Sequence, residues 1–134
     1  MQTGEIELAG RWYKDPEKFH YVYAASVNSG FHPVGTDEKS VVTHEVGHAI
    51  TGKIAKSLGL KYKEISDKIQ EEVMSELGLN NTDTIIIKHL SEYGSVDSLE
   101  FIAEAFAEYM HSPSPRAIAQ KVGEKLKKLL GGLK

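Results

Sequence analysis

The sequence predicts an α+β domain in which a small sheet precedes a mostly helical body. Segments 5–9 and 21–27 lie on either side of the turn-forming pair Asp15-Pro16, and the second is rich in aromatic and β-branched residues, which indicates two short strands. From residue 36 onward, apolar residues recur at three- and four-residue spacing, which indicates amphipathic helices. The 134 residues show no repeat or linker, so we expect residues 1–134 to form one domain, either alone or as a piece of a larger protein.

Capping residues set the expected bounds of the first two long helices. Thr36 can cap a helix whose first turn is acidic, and this helix is expected to run to about Leu58, just before Gly59. A second amphipathic helix is expected over residues 61–77, because its apolar residues keep helical spacing until Gly78 stops it. Its expected role is packing.

The later elements are predicted with the same signals. Residues 84–90 contain three consecutive isoleucines, as a strand does, but Thr82 is a good helix cap, so a short helix is favoured. A further helix opens at Asp97 or Ser98 and ends before Ser112-Pro113. A final helix follows the next proline, with a regular apolar stripe.

Composition restricts the class of protein. Hydrophobic residues at 40% and charged residues at 26% are ordinary for a globular protein, and no apolar run approaches the ~18 residues of a membrane span. The first residues lack the features of a signal peptide. We expect no membrane partner. The location stays unknown, and both a virion-associated and a secreted parent protein stay open. There is no cysteine, so any zinc must be bound by His, Asp or Glu.

Charge argues against a nucleic-acid partner. The net charge is −3, but residues 116–134 hold six basic side chains against one Glu, which leaves about −8 on the rest of the chain. The lysines from Lys121 to Lys128 are spaced as the solvated face of an amphipathic helix. A nucleic-acid accessory domain that uses residues 116–128 is therefore the weakest of the alternatives considered.

The segment His44-Glu45-Val46-Gly47-His48 carries the strongest chemical signal. Histidines four apart lie on one face of a helix and can bind one ion, and Glu45 beside them can act as a general base in metal-assisted hydrolysis. A chain of this composition contains such a pattern by chance at roughly 3%. A third ligand is therefore needed to support a zinc site.

Acidic residues late in the chain are candidates for that third ligand. They are Asp97, Glu100, Glu104 and Glu108, with the remaining histidines as further alternatives. Glu100 and Glu104 lie one turn apart in a segment that is otherwise apolar and small, so two acids there need buried partners. The spacing suits one carboxylate that binds the metal and a second that orients a metal-binding histidine.

Two blocks of the chain resemble zinc peptidases that have a glutamate as third ligand, in particular the anthrax lethal factor catalytic domain. The first block is His44–Ala49; the second runs from Ser91 through Glu100 to Ser112. Secreted clostridial endopeptidases that cut between prolines, and metallopeptidase-like domains of phage minor head proteins, look similar in the same blocks.

This resemblance implies a zincin fold, with a small sheet, an active-site helix and a glutamate helix. It implies that His44, His48 and Glu100 bind zinc, that Tyr93 points into the active site, and that Glu104 supports a ligand. With Glu45 as general base and Tyr93 stabilising the oxyanion, the expected function is a zinc endopeptidase acting on a peptide or protein substrate. An extended substrate would pair with the strand expected at residues 21–27.

A different class of protein is the main alternative. The chain is short and leaves little room for a substrate-binding subdomain, which favours a catalytically silent zinc-binding module for assembly or interaction within a phage head or secreted protein. A structural zinc site is closed, whereas a catalytic site keeps a position for water. Coordination of the metal therefore distinguishes the two hypotheses.

Overall fold

A computed structural model of the protein describes residues 16–132, which form six α-helices and one 3-10 turn. In chain order these are α1 Pro16–Asn28, α2 Ser40–Leu58, α3 Tyr62–Glu76, α4 Asp83–His89, the 3-10 turn Tyr93–Ser95, α5 Ser98–His111 and α6 Ala117–Gly131. There is no strand between residues 16 and 132. None of these helices is long and apolar enough to cross a membrane.

The prediction of an α+β fold with a small sheet is wrong for this part of the chain. Residues 21–27, predicted as a strand, lie within α1. Tyr23 is buried there while its neighbours Tyr21 and Val22 are exposed, so burial follows the spacing of a helix instead of alternating. Without this strand, the expected edge for pairing with a substrate is also lost. The other predicted strand, residues 5–9, lies outside the described residues.

Helix α5 lies at the centre of the described fold and contacts α2, α3, α6 and the 3-10 turn. Ser98 and every residue from Glu100 to Glu108 are buried. Three of these residues are alanines, which let neighbouring helices approach closely. The helix that bears His44, α2, packs on α5.

The helix signals in the sequence differ in how well they fit the structure. Thr82 and Asp97 cap α4 and α5 as predicted, each accepting a hydrogen bond from a backbone N–H in the first turn. Thr36, predicted to cap α2, instead donates its hydroxyl proton to the carbonyl of Pro33, and α2 begins only at Ser40. Thr36 thus stabilises a turn before the helix.

A tight turn joins α2 to α3. Gly59 adopts a φ of 69°, and its N–H bonds back to the last turn of α2, at the carbonyls of Ala55 and Lys56. Glycine adopts this left-handed conformation without steric cost. The chain reverses at once, which brings Tyr62, the first residue of α3, against Gly52 of α2.

The basic side of α6 is partly engaged within the fold. Lys121 lies 3.3 Å from Glu76 of α3, and Lys125 lies 2.9 Å from Glu76 and 3.5 Å from Glu72. These pairs are exposed and contribute little to stability. They show that the lysines predicted to be solvated also cover the acidic side of α3.

Candidate metal centre

Helix α2 presents His44 and His48 on one buried face. Their exposed fractions are 2% and 6%. Glu45 follows His44 directly and is half-buried. The side-chain ligand atoms of these three residues lie within 4.8 Å of one another, so the group His44, Glu45 and His48 can hold a metal ion.

Glu100 of α5 also brings a carboxylate oxygen close to the two histidines. Its Oε1 lies 2.8 Å from Nε2 of His44 and 3.2 Å from Nε2 of His48, and the two Nε2 atoms are 3.2 Å apart. In a tetrahedral zinc site with bonds near 2.0–2.1 Å, ligand atoms lie about 3.3 Å from one another. The separations of these three atoms are therefore close to those of one face of such a site.

Two features place Glu100 at this point. The side chain of Asp97 accepts a hydrogen bond from the backbone N–H of Glu100 at 2.9 Å, which fixes the first turn of α5. Helix α2 approaches α5 closely at Gly47, where an added Cβ would lie 3.2 Å from the ring of Phe106 and 3.3 Å from the Cα of Ala103. Gly47 therefore allows α5 to approach α2 closely beside the site.

The electrostatics of Glu100 favour its anionic form. Burial raises the pKa of the carboxyl group, but hydrogen bonds from His44 and His48 and their positive charge outweigh burial and bring the pKa to about 2. A carboxylate that stays ionised in a buried place is the form that binds a cation.

Glu104 supports His44 from the side opposite Glu100. Its carboxylate lies 3.0 Å from Nδ1 of His44, accepts a hydrogen bond from the Ser91 hydroxyl at 3.0 Å, and lies 3.1 Å from Nδ1 of His32. Burial raises its pKa, but the bonds from His32 and His44 outweigh burial and lower it overall. Because Glu104 accepts the Nδ1–H of His44, a metal would replace the proton on Nε2, which faces Glu100.

Tyr62 contacts the other histidine. Its hydroxyl oxygen lies 2.6 Å from Nδ1 of His48. Burial and the nearby carboxylates of Glu100, Glu45 and Asp97 raise the pKa of Tyr62, so the hydroxyl stays protonated. Periodicity predicted only a packing role for the helix that begins here. The missed signal is that a tyrosine on a buried stripe needs a partner for its hydroxyl.

Tyr93, in the 3-10 turn, lies against His44. The two rings are nearly parallel, at 11°, with centroids 5.6 Å apart, and Phe31 stacks on Tyr93 with centroids 5.3 Å apart. The backbone N–H of Tyr93 donates to the carbonyl of Phe31 at 3.0 Å. The segment between α1 and α2 therefore holds Tyr93 beside the histidine pair.

His32 belongs to this same segment. His32 is 9% exposed, and its ring stacks on Tyr23 with centroids 4.6 Å apart. No sequence signal links it to Glu104, 72 residues later.

The remaining candidate acids have other partners. Asp97 caps α5, as described above. Glu108 is fully buried and binds Arg116, whose guanidinium donates to both carboxylate oxygens at 3.1 and 2.7 Å. Glu100, one of the four acids proposed as third ligand, places a carboxylate oxygen within 3.2 Å of Nε2 of both His44 and His48.

Comparison with known proteins adds no relative. No family model matches the chain, and searches of the curated proteins and of the solved structures found no significant match.

Proposed function

We propose that the protein is a zinc-dependent endopeptidase in which His44, His48 and Glu100 bind the metal. The observation that carries the proposal is the convergence of two imidazole nitrogens and one carboxylate oxygen within 3.2 Å, next to Glu45. Two nitrogens and one oxygen are a ligand set typical of catalytic zinc. The same donors also suit iron(II), so elemental analysis of the purified protein is part of the test.

When bound, zinc supplies a Lewis acid that polarises the scissile carbonyl and lowers the pKa of water. Glu45 is the general base of the proposal: it takes the proton from the attacking water and then donates it to the leaving amine. Its position supports this role, because a carboxylate oxygen of Glu45 lies within 4.8 Å of a ring nitrogen of each histidine.

The proposed role of Tyr93 is to donate a hydrogen bond to the oxyanion as it forms. The stacking of its ring on His44 supports a place at the edge of the site. The resemblance to zinc peptidases with a glutamate third ligand supports the same roles, since it assigns the tyrosine and both acids that lie around His44 here.

Substitution of Glu45 tests the mechanism. We expect Glu45→Gln to retain one bound zinc and to lose peptide hydrolysis by about 10²–10⁴-fold, because the amide cannot accept the proton. Cleavage products from an unbiased peptide library, read by mass spectrometry, give the rate, and elemental analysis gives the zinc content. Glu124→Gln on the exposed side of α6 is the matched control and should cleave like the natural protein. Equal activity of Glu45→Gln would contradict the proposal.

A zinc-binding interaction module is the second candidate. Two observations favour it: the three ligand side chains are at most 6% exposed, and the strand expected to receive a substrate is part of α1. We expect a closed fourth coordination position in this case and an open one in a peptidase. The cobalt-substituted protein distinguishes them, since only an open site changes its visible spectrum when a small hydroxamate is added.

A further inference from the structure

Tyr62 lies where it can act on the metal centre without binding the metal. It is the first residue of α3, and the left-handed turn at Gly59 brings it back along α2. An added Cβ at Gly52, one turn beyond His48, would lie 3.9 Å from the Tyr62 ring, so the ring lies along this part of α2. Its hydroxyl oxygen then lies 2.6 Å from Nδ1 of His48.

The chemistry of imidazole makes this contact important. A neutral imidazole carries one proton, and a metal can bind Nε2 only if that proton is on Nδ1. The Nδ1–H of His48 donates to the Tyr62 hydroxyl oxygen in this tautomer. The contact therefore fixes the ring orientation in which Nε2 of His48 faces Glu100.

His44 and His48 are supported by different chemical groups. Nδ1 of His44 faces the anionic Glu104, and Nδ1 of His48 faces a neutral phenol. A carboxylate raises the basicity of the histidine it holds more than a phenol does. His48 therefore depends more on orientation and less on charge than His44 does.

We propose that Tyr62 is a positioning residue that holds the His48 ring in the orientation in which Nε2 can bind a metal. This inference rests on the metal site of the proposed function, but it does not require peptide hydrolysis. Loss of such a partner typically weakens metal binding by about 10–100-fold.

Tyr62→Phe tests the inference, because it removes one oxygen atom and keeps the ring. We expect zinc affinity, measured by competition with a chromophoric chelator, to fall about 10–100-fold. In the metal-free protein, the urea midpoint should change little, whereas the ¹⁵N shift of His48 Nδ1 should move, because this nitrogen loses its hydrogen-bond partner. Tyr109→Phe is the matched control: Tyr109 is half-buried on α5 against Gly123, and its loss should leave zinc affinity unchanged.

Three outcomes would overturn the inference. Unchanged zinc affinity and unchanged ¹⁵N shifts in Tyr62→Phe exclude a positioning role. A fall in hydrolysis at unchanged zinc affinity would place the hydroxyl on the substrate instead. A large fall in the urea midpoint of the metal-free protein would make the hydroxyl structural. If Tyr62→Phe lowers zinc affinity as expected but the natural protein cleaves no peptide, the endopeptidase proposal fails and the role of Tyr62 stands.

Discussion

At the scale of the residue, three buried glutamates on α5 show how partners decide chemistry. Glu100, Glu104 and Glu108 lie one turn apart on one helix, and each is at most 2% exposed. Glu100 contacts the Nε2 atoms of His44 and His48, Glu104 contacts the far side of His44, and Glu108 binds Arg116. A buried carboxylate is costly without a partner, so each position requires one. The identity of the partner separates a candidate ligand from a supporting group and from a structural ion pair.

Removal of Glu100 is the prediction that belongs to this scale. We expect Glu100→Ala to bind zinc with less than a tenth of the natural affinity, because a catalytic zinc site needs three protein ligands and the substitution leaves two histidines. Isothermal titration of the metal-free protein with zinc measures the change, and Glu124→Gln again serves as the control. Unchanged affinity would instead assign the third ligand to Glu45, which has a carboxylate oxygen within 4.8 Å of a ring nitrogen of each histidine.

At the scale of the element, the packing of α2 on α5 positions the site. Glycine at position 47 lets the backbone of α2 approach Ala103 and the Phe106 side chain, and the ligands from the two helices meet next to this contact. Glycine inside a helix costs about 1 kcal/mol relative to alanine, so the close approach outweighs this cost. Gly52, one turn later on α2, meets only the Tyr62 ring at 3.9 Å.

Alanine at these two glycines should have opposite effects on stability. We expect Gly47→Ala to destabilise the metal-free protein by about 1–2 kcal/mol, since the new methyl group meets the Ala103 backbone, which cannot move aside without separating the helices. Gly52→Ala should stabilise it by up to ~1 kcal/mol through helix propensity alone. Urea unfolding followed by circular dichroism measures both. Stabilisation by both alanines would show that the helices do not approach as closely as described.

At the scale of the whole molecule, Arg116 joins three separate segments. It precedes α6, its guanidinium binds Glu108 near the end of α5, and it donates to the carbonyl of Leu90 at 2.7 Å, just before the turn that carries Tyr93. Ser91, which follows Leu90 in the chain, donates its hydroxyl proton to the Glu104 carboxylate. The ion pair between Arg116 and Glu108 therefore holds the C-terminal helix and the turn beside the metal centre on the same buried helix.

Substitution of Arg116 tests this link. We expect Arg116→Met to destabilise the fold by about 3 kcal/mol or more, because the fully buried Glu108 loses its charged partner. Lys125→Met is the matched control: it removes a basic residue paired with exposed glutamates of α3 and should cost about 0–1 kcal/mol. Thermal and urea unfolding measure both changes. Equal effects of the two substitutions would show that the buried pair contributes no more than a surface pair.

The sequence alone determined those features that depend on neighbours within a few residues. The spacing of His44 and His48 places both on one face of a helix, and Thr82 and Asp97 cap the helices that follow them, because helix geometry and capping act over three or four residues.

Tertiary structure decided the rest. Residues 21–27 lie in a helix in which Tyr23 is buried and Tyr21 is exposed. Local strand propensity does not report which of these side chains is buried. The contact of Tyr62 with His48 depends on how the turn at Gly59 folds α3 along α2, and that of His32 with Glu104 on where the segment before α2 packs on α5. These partners are 14 and 72 residues apart, a separation over which no sequence periodicity extends.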